Sequence, residues 1–244
     1  MKQTAASYQA TEAYHALYLP TDWQAGKKYP VICEYAGNGN YTNKFGDHSA
    51  GTVEGSNLGY GISGGKGFIW VCLPYVGMKD GKLSNITQWW GDVTETKKYC
   101  IEAVREVCTK YGGDTNKVFI AGFSRGAIAC NYIGLHDDDI SKLWCGFIAH
   151  SHYDGVRKWG YADSDRDAAL VRLKRLNGRP QFISHEGGTA ETKKYLEETD
   201  VKGDFTFVDF PYRNHTDEWV LRPIKEREIL RRWMAEVLKK KPAP

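Results

Sequence analysis

The chain has 244 residues, 41% hydrophobic and 26% charged, which is the composition of an ordinary globular domain rather than of a fibrous or disordered one. Its 33 Lys and Arg against 30 Asp and Glu leave a formal charge of +3. The one basic run, Lys239-Lys240-Lys241, reads as a solvated helix end, so no nucleic-acid partner is expected. No apolar stretch approaches the roughly 18 residues of a membrane span, so no membrane partner is expected either.

Residues 1–11 lack the apolar core of a secretory leader. A cytoplasmic protein, or an exported one whose leader lies outside this sequence, are both compatible with that. Six cysteines (Cys33, Cys72, Cys100, Cys108, Cys130, Cys145) form no CxxC pair, and most sit in or beside apolar runs. Free buried thiols are therefore expected in preference to disulfides.

In chain order, apolar strands alternate with helical patterns, which predicts βα units and a mostly parallel central sheet with helices on both faces. Residues 13–19 alternate and stop at Pro20, an early strand. Tyr29–Tyr35 (YPVICEY) and residues 67–73 (GFIWVCL) are near-continuous apolar runs, as expected of strands buried on both faces. Residues 92–111 carry apolar side chains at helical spacing, with Asp92 as N-cap and Gly112-Gly113 as the stop. Strands follow at 117–121, 143–149, 181–184 and 205–210. Helices are expected at 125–135, 166–176, 191–198 and 224–238, the last with Ile229, Leu230, Trp233 and Val237 inward. Two glycine-rich stretches, 37–41 and 51–67, read as loops. There is no repeat or linker, so one domain spans 1–244.

The strongest local signal is Gly122-Phe123-Ser124-Arg125-Gly126, a G-x-S-x-G string placed after a strand and before a helix. The chemistry needs glycines there because the serine must stand on a tight turn whose flanks have no room for side chains. The N-terminus of the following helix favours negative charge developing beside the hydroxyl. On these residues, and on the turn Tyr111-Gly112-Gly113-Asp114-Thr115-Asn116-Lys117 before them, the chain resembles the α/β-hydrolase superfamily. Within it the resemblance is to small serine esterases of the feruloyl esterase, acetylxylan esterase or polyester-depolymerase type, and it runs from the YPVICEY strand to the last helix.

That resemblance implies an α/β-hydrolase fold, a carboxylic-ester hydrolase needing no cofactor, and a small-molecule or oligosaccharide ester as substrate. It also implies the chain order nucleophile, acid, histidine, with the histidine after the last strand. His215 stands there, in Pro211-Tyr212-Arg213-Asn214-His215. For the acid, Glu186 follows the strand at 181–184, while Asp154 follows the preceding strand, and the two remain alternatives. Thr189 occupies the place where the family's loop usually has Asp, and Glu191 lies slightly further on. The oxyanion hole needs two backbone donors. Arg125 N is the first. The second comes from Ala36-Gly37-Asn38-Gly39-Asn40, where Ala36 replaces the family's histidine; Asn38 is the expected donor and Gly37 the alternative. Trp89, Trp90 and Tyr35 are expected to contact substrate, with Tyr41 and Trp219 also within reach of the pocket.

Two other patterns compete. His150-Ser151-His152-Tyr153-Asp154 is an H-x-H-x-D string, which would suit a metal-dependent hydrolase using His150, His152 and Asp154, although Gly155 stands where that signature continues with His. Gly59-Tyr60-Gly61-Ile62-Ser63-Gly64 matches G-x-G-x-x-G but precedes a strand, the reverse of dinucleotide-binding order. The irregular acid and oxyanion positions also leave open a non-catalytic binding protein on a hydrolase scaffold.

Overall fold

The computed structural model describes residues 1–240; Lys241, the last residue of the expected basic tail, lies outside them. Eight strands make the main sheet: β1 (Lys2–Gln3), β2 (His15–Tyr18), β3 (Tyr29–Tyr35), β4 (Ile69–Leu73), β5 (Gly113–Phe123), β6 (Gly146–His150), β7 (Pro180–His185) and β8 (Asp204–Asp209). Their spatial order is β1-β2-β4-β3-β5-β6-β7-β8. The β1–β2 and β2–β4 pairings are antiparallel, and every pairing from β4 to β8 is parallel.

Parallel strands need crossovers, and the crossovers cover both faces. One face is packed by α2 (Val93–Tyr111), α3 (Arg125–Tyr132), α5 (Arg166–Leu173) and α6 (Ala190–Glu197), the other by α1 (Leu58–Ser63) and α7 (Lys225–Lys239); α4 (Asp138–Ser141) is a single turn. β3 shows the consequence for sequence. Val31, Cys33 and Tyr35 enter one core while Ile32 enters the other, so the strand is apolar on both faces except at the buried Glu34. β5 repeats the pattern, with Val118 and Ile120 on one side and Phe119 and Ala121 on the other. All six cysteines are unpaired, and five are buried.

α2 begins and ends as its sequence dictates. The Asp92 carboxylate accepts from Glu95 N at 3.0 Å, and Gly112 takes the left-handed conformation that stops the helix. Two segments differ from expectation. Residues 51–67 hold a 3₁₀ turn and α1 rather than a plain loop, because Glu34 on β3 accepts from Leu58 N (3.0 Å) and Gly59 N (2.9 Å) and caps the helix across space. Gly59 and Gly61 let α1 press close: a Cβ would sit 2.1 Å from Trp70 Cδ1 at the first and 2.4 Å from Val220 Cγ1 at the second. The G-x-G-x-x-G string is thus a packing device. Burial, followed by their mutual proximity in the case of Glu34, raises the Glu34 and Asp217 carboxyls above the usual range; both accept from Asn57 N. The second difference is a hairpin, Tyr75–Lys79 with Lys82–Ile86, turned by Asp80-Gly81 with both residues at positive φ.

Candidate active site

Because β5, β7 and β8 are parallel, the loops at their carboxyl ends emerge on one edge of the sheet. β5 delivers Ser124 with φ 54 and ψ −116, a strained backbone for a residue other than glycine. A Cβ on Gly122 would lie 2.1 Å from Gly126 O, and one on Gly126 1.9 Å from Tyr35 O, so both flanks of the elbow require glycine. Ser124 holds the N-cap position of α3 without a side-chain capping bond, which leaves its hydroxyl free for His215, and it is 9% exposed.

His215, from the loop after β8, places Nε2 2.9 Å from Ser124 Oγ and Nδ1 2.5 Å from Glu186 Oε1. Glu186 directly follows β7. Burial alone would lift its pKa, but the bonds from His215 and Ser151, with the nearby imidazoles, outweigh that and hold it well below the usual carboxylate range. The His215 ring is boxed by Phe123 (4.7 Å between centroids), Tyr41 (5.0 Å, edge-on) and His152 (5.3 Å). Its backbone N–H donates to Asp47 Oδ2 at 2.8 Å, and Asn214 Nδ2 donates to Asp47 Oδ1 at 2.9 Å, tying the histidine loop to the short hairpin of Tyr41–Thr42 and His48–Ser49.

Ser151 and Asp47 were missed in the sequence. Ser151 is fully buried at φ 85; its hydroxyl donates to Glu186 Oε2 and lies 3.2 Å from His215 Nδ1. Its position one residue past the end of β6 was the available signal. Asp47 gave none, since the partners that bring it to the site, Asn214 and His215, lie 167 and 168 residues away.

Several expected site residues lie elsewhere. Asp154 is not the acid beside His215: both its oxygens are taken by the buried Arg172 guanidinium, at 2.8 and 3.0 Å, and burial lifts its pKa to about 6 against that pull. Trp90 is core, stacked 4.6 Å from Tyr132, and not a substrate contact. Tyr35 is wholly buried against Tyr75, because it points into the core beneath the loop that follows it. Trp219 packs on Phe210 and His150. Trp89 stays partly exposed and forms an aromatic wall with Trp159 (5.6 Å) and Tyr161 (5.1 Å), which His152 joins to His215. Arg125 N, as the first amide of α3, has no acceptor within the helix. The Asn38 loop is pinned by Trp89 N donating to Asn38 Oδ1 (2.8 Å) and Gly39 N donating to Thr87 O (2.6 Å).

The H-x-H-x-D residues do not converge as ligands. His150 is fully buried with Nδ1 2.9 Å from Ser184 Oγ, His152 lies in the aromatic wall, and Asp154 is spent on Arg172. Among the described residues, no group of three or more His, Cys, Asp or Glu is placed to hold a metal ion. Burial lowers the His150 pKa to about 3 and that of His152 to about 4. A depressed imidazole favours folding above its unfolded pKa of about 6.5 and loses that contribution as pH falls toward the folded value. His150 alone should therefore remove about 2–3 kcal/mol of stability between pH 6.5 and 4.5, and His150→Gln should make the stability curve shallower there, with the slope from His152 remaining. Urea melts at half-unit pH steps test this; an unchanged slope in the variant contradicts the neutral, buried imidazole.

No protein-family model and no curated protein sequence matches the chain. Solved structures do, at low identity. An S-formylglutathione hydrolase from Agrobacterium tumefaciens superposes with a TM-score of 0.63 at 13% identity, over 98% of this chain and 94% of that one. An acetyl ester-xyloside bifunctional hydrolase from Caldicellulosiruptor lactoaceticus gives 0.59 at 14%, over 92% and 88%. A thermostable esterase gives 0.58 at 14%, over 97% of this chain; the present chain spans only 62% of that protein's length. Among the described residues no helix is long and apolar enough to cross a membrane. Strand order, a serine elbow after β5 and these superpositions together identify the architecture: this chain has the α/β-hydrolase fold.

Proposed function

We propose that the chain is a serine hydrolase that cleaves carboxylic esters through an acyl-enzyme. The observation that carries this is the unbroken relay Ser124 Oγ, His215, Glu186, with contacts of 2.9 and 2.5 Å. Ser124 attacks the ester carbonyl as His215 Nε2 takes its proton, and the resulting oxyanion is held by Arg125 N and Asn38 N. His215 then returns the proton to the departing alcohol, and water repeats the cycle to free the acid. Glu186 fixes the tautomer and stabilises the imidazolium. This chemistry needs no metal or organic cofactor.

For substrate we infer acetyl or feruloyl esters of plant polysaccharide fragments. The wall of Trp89, Trp159 and Tyr161 offers flat faces to an aryl group or sugar ring, and one structural neighbour is an acetyl ester-xyloside bifunctional hydrolase. The expected result is labelling of the wild-type protein by a fluorophosphonate probe and hydrolysis of both p-nitrophenyl acetate and methyl ferulate. Trp89→Ala should raise KM for the ferulate about tenfold while leaving the acetate within about twofold, in line with about 1–1.5 kcal/mol for one aromatic contact. A protein that neither labels nor hydrolyses is a binding module on this scaffold. One that hydrolyses, but whose two substrates respond alike to Trp89→Ala, has its aromatic subsite elsewhere.

A further inference from the structure

We propose that the Arg125 side chain, and not only its backbone, is a positioning residue that holds the oxyanion loop and the aromatic wall against the nucleophile elbow. The proposal rests on the serine-hydrolase reading above.

A buried arginine normally faces a carboxylate. The Arg125 guanidinium, 1% exposed, instead donates to three backbone carbonyls on three loops: Gly37 O at 2.9 Å, Trp89 O at 2.6 Å and Gly51 O at 3.4 Å. Its planar face lies 3.8 Å from the centre of the Tyr75 ring, and Nε has no partner. Among the described residues it has no carboxylate partner. Burial lowers its pKa to about 10, so it remains a cation at neutral pH.

The three carbonyls are not arbitrary. Gly37 directly precedes Asn38, the second oxyanion donor proposed here. Trp89 is the wall residue, and its own N–H returns to Asn38 Oδ1 at 2.8 Å. Gly51 closes the loop from behind: a Cβ there would lie 2.6 Å from Gly39 N and 2.3 Å from Thr87 O. Arg125, Gly37-Asn38 and Trp89 thus form a closed ring of hydrogen bonds, anchored one residue after the nucleophile. An uncompensated cation in this place also adds positive potential where negative charge develops on the tetrahedral intermediate. The guanidinium suits the task because one rigid plane supplies several donors; lysine reaches fewer carbonyls at once, and methionine, of similar length, has no donor at all.

The experiment uses the full chain with Arg125→Met and Arg125→Lys, p-nitrophenyl acetate and methyl ferulate as substrates, and a trifluoromethyl ketone whose hydrated adduct with Ser124 places an oxyanion in the hole. Arg125→Met should lower kcat for p-nitrophenyl acetate by about 10²-fold, the scale of losing one oxyanion donor, and weaken the ketone in parallel. KM for the ferulate should rise as well, because the wall is released with the loop. Arg125→Lys should recover about tenfold of the kcat loss while KM for the ferulate stays high. A folded Arg125→Met enzyme within threefold of wild type overturns the proposal, as does a kcat loss with undiminished ketone affinity. If Arg125→Met does not fold, Arg125→Lys alone decides: wild-type kcat and ketone affinity overturn the proposal, and a matched loss of both supports it. Failure of the serine-hydrolase reading is distinct, because then the wild-type protein itself neither labels with fluorophosphonate nor turns over either ester.

Discussion

Alanine at position 124 is expected to reduce ester turnover by on the order of 10⁶-fold, the scale at which loss of a triad serine is felt in enzymes of this chemistry. The reasoning is geometric. The hydroxyl is the group 2.9 Å from His215 Nε2, and the elbow that carries it is strained whether serine or alanine sits there. The substitution therefore removes the nucleophile without relieving or adding backbone strain, and the melting temperature should hold within a few degrees. His215→Ala should fall to nearly the same residual level, because the two groups act as one unit and their losses do not add. Fluorophosphonate labelling separates them further: it vanishes without the serine and slows severely without the base. A Ser124→Ala enzyme retaining more than about 1% of turnover would remove the basis of the assignment, since the oxyanion donors alone supply only about 10³–10⁴ over water.

Much of this architecture was readable before any coordinates, for identifiable reasons. Strands buried on both faces are near-continuous apolar runs, and Tyr29–Tyr35 shows that at a glance with Glu34 as its one charged residue; the sheet's parallel core follows from strands alternating with helices. The elbow is legible because the need for glycine is partly local: a Cβ on Gly122 would lie 2.1 Å from Gly126 O, four residues on. His215 could be placed from chain order alone. What was not legible depends on distant partners. α1 is capped by Glu34 and glycine-packed against Trp70 and Val220, so its local sequence reads as loop. The Asp80-Gly81 hairpin is different: its two-residue turn signal is local and stands in the sequence itself. Asp154 and Trp90 follow strands on the edge of the sheet where the site lies, but position along the chain does not say which way a side chain turns. Arg172 and Tyr132, which claim them, are 18 and 42 residues downstream.

The two carboxylates that the sequence offers as triad acid, Glu186 and Asp154, should separate completely on neutralisation. In Glu186→Gln the Ser151 hydroxyl, a donor to Oε2 in the native protein, should keep the amide oxygen on its side and turn the NH₂ toward His215 Nδ1. That nitrogen must then accept, which places the imidazole proton on Nε2, the wrong side for taking one from Ser124. The loss in kcat should be about 10⁴-fold with KM little changed, the magnitude known for a triad acid replaced by its amide. Asp154→Asn acts on stability instead. It leaves the Arg172 guanidinium buried with half of a bidentate partner, and breaking such a pair costs about 3–5 kcal/mol. For a chain of this size that lowers Tm by about 10 °C, while kcat per folded molecule stays within a few-fold of wild type. Melting curves and kcat measured well below the transition decide it. Catalytic collapse in Asp154→Asn, or survival of turnover in Glu186→Gln, would reverse the assignment. Either result would require His215 Nδ1 to find another carboxylate during turnover, although Glu186 Oε1 lies 2.5 Å from it in this structure.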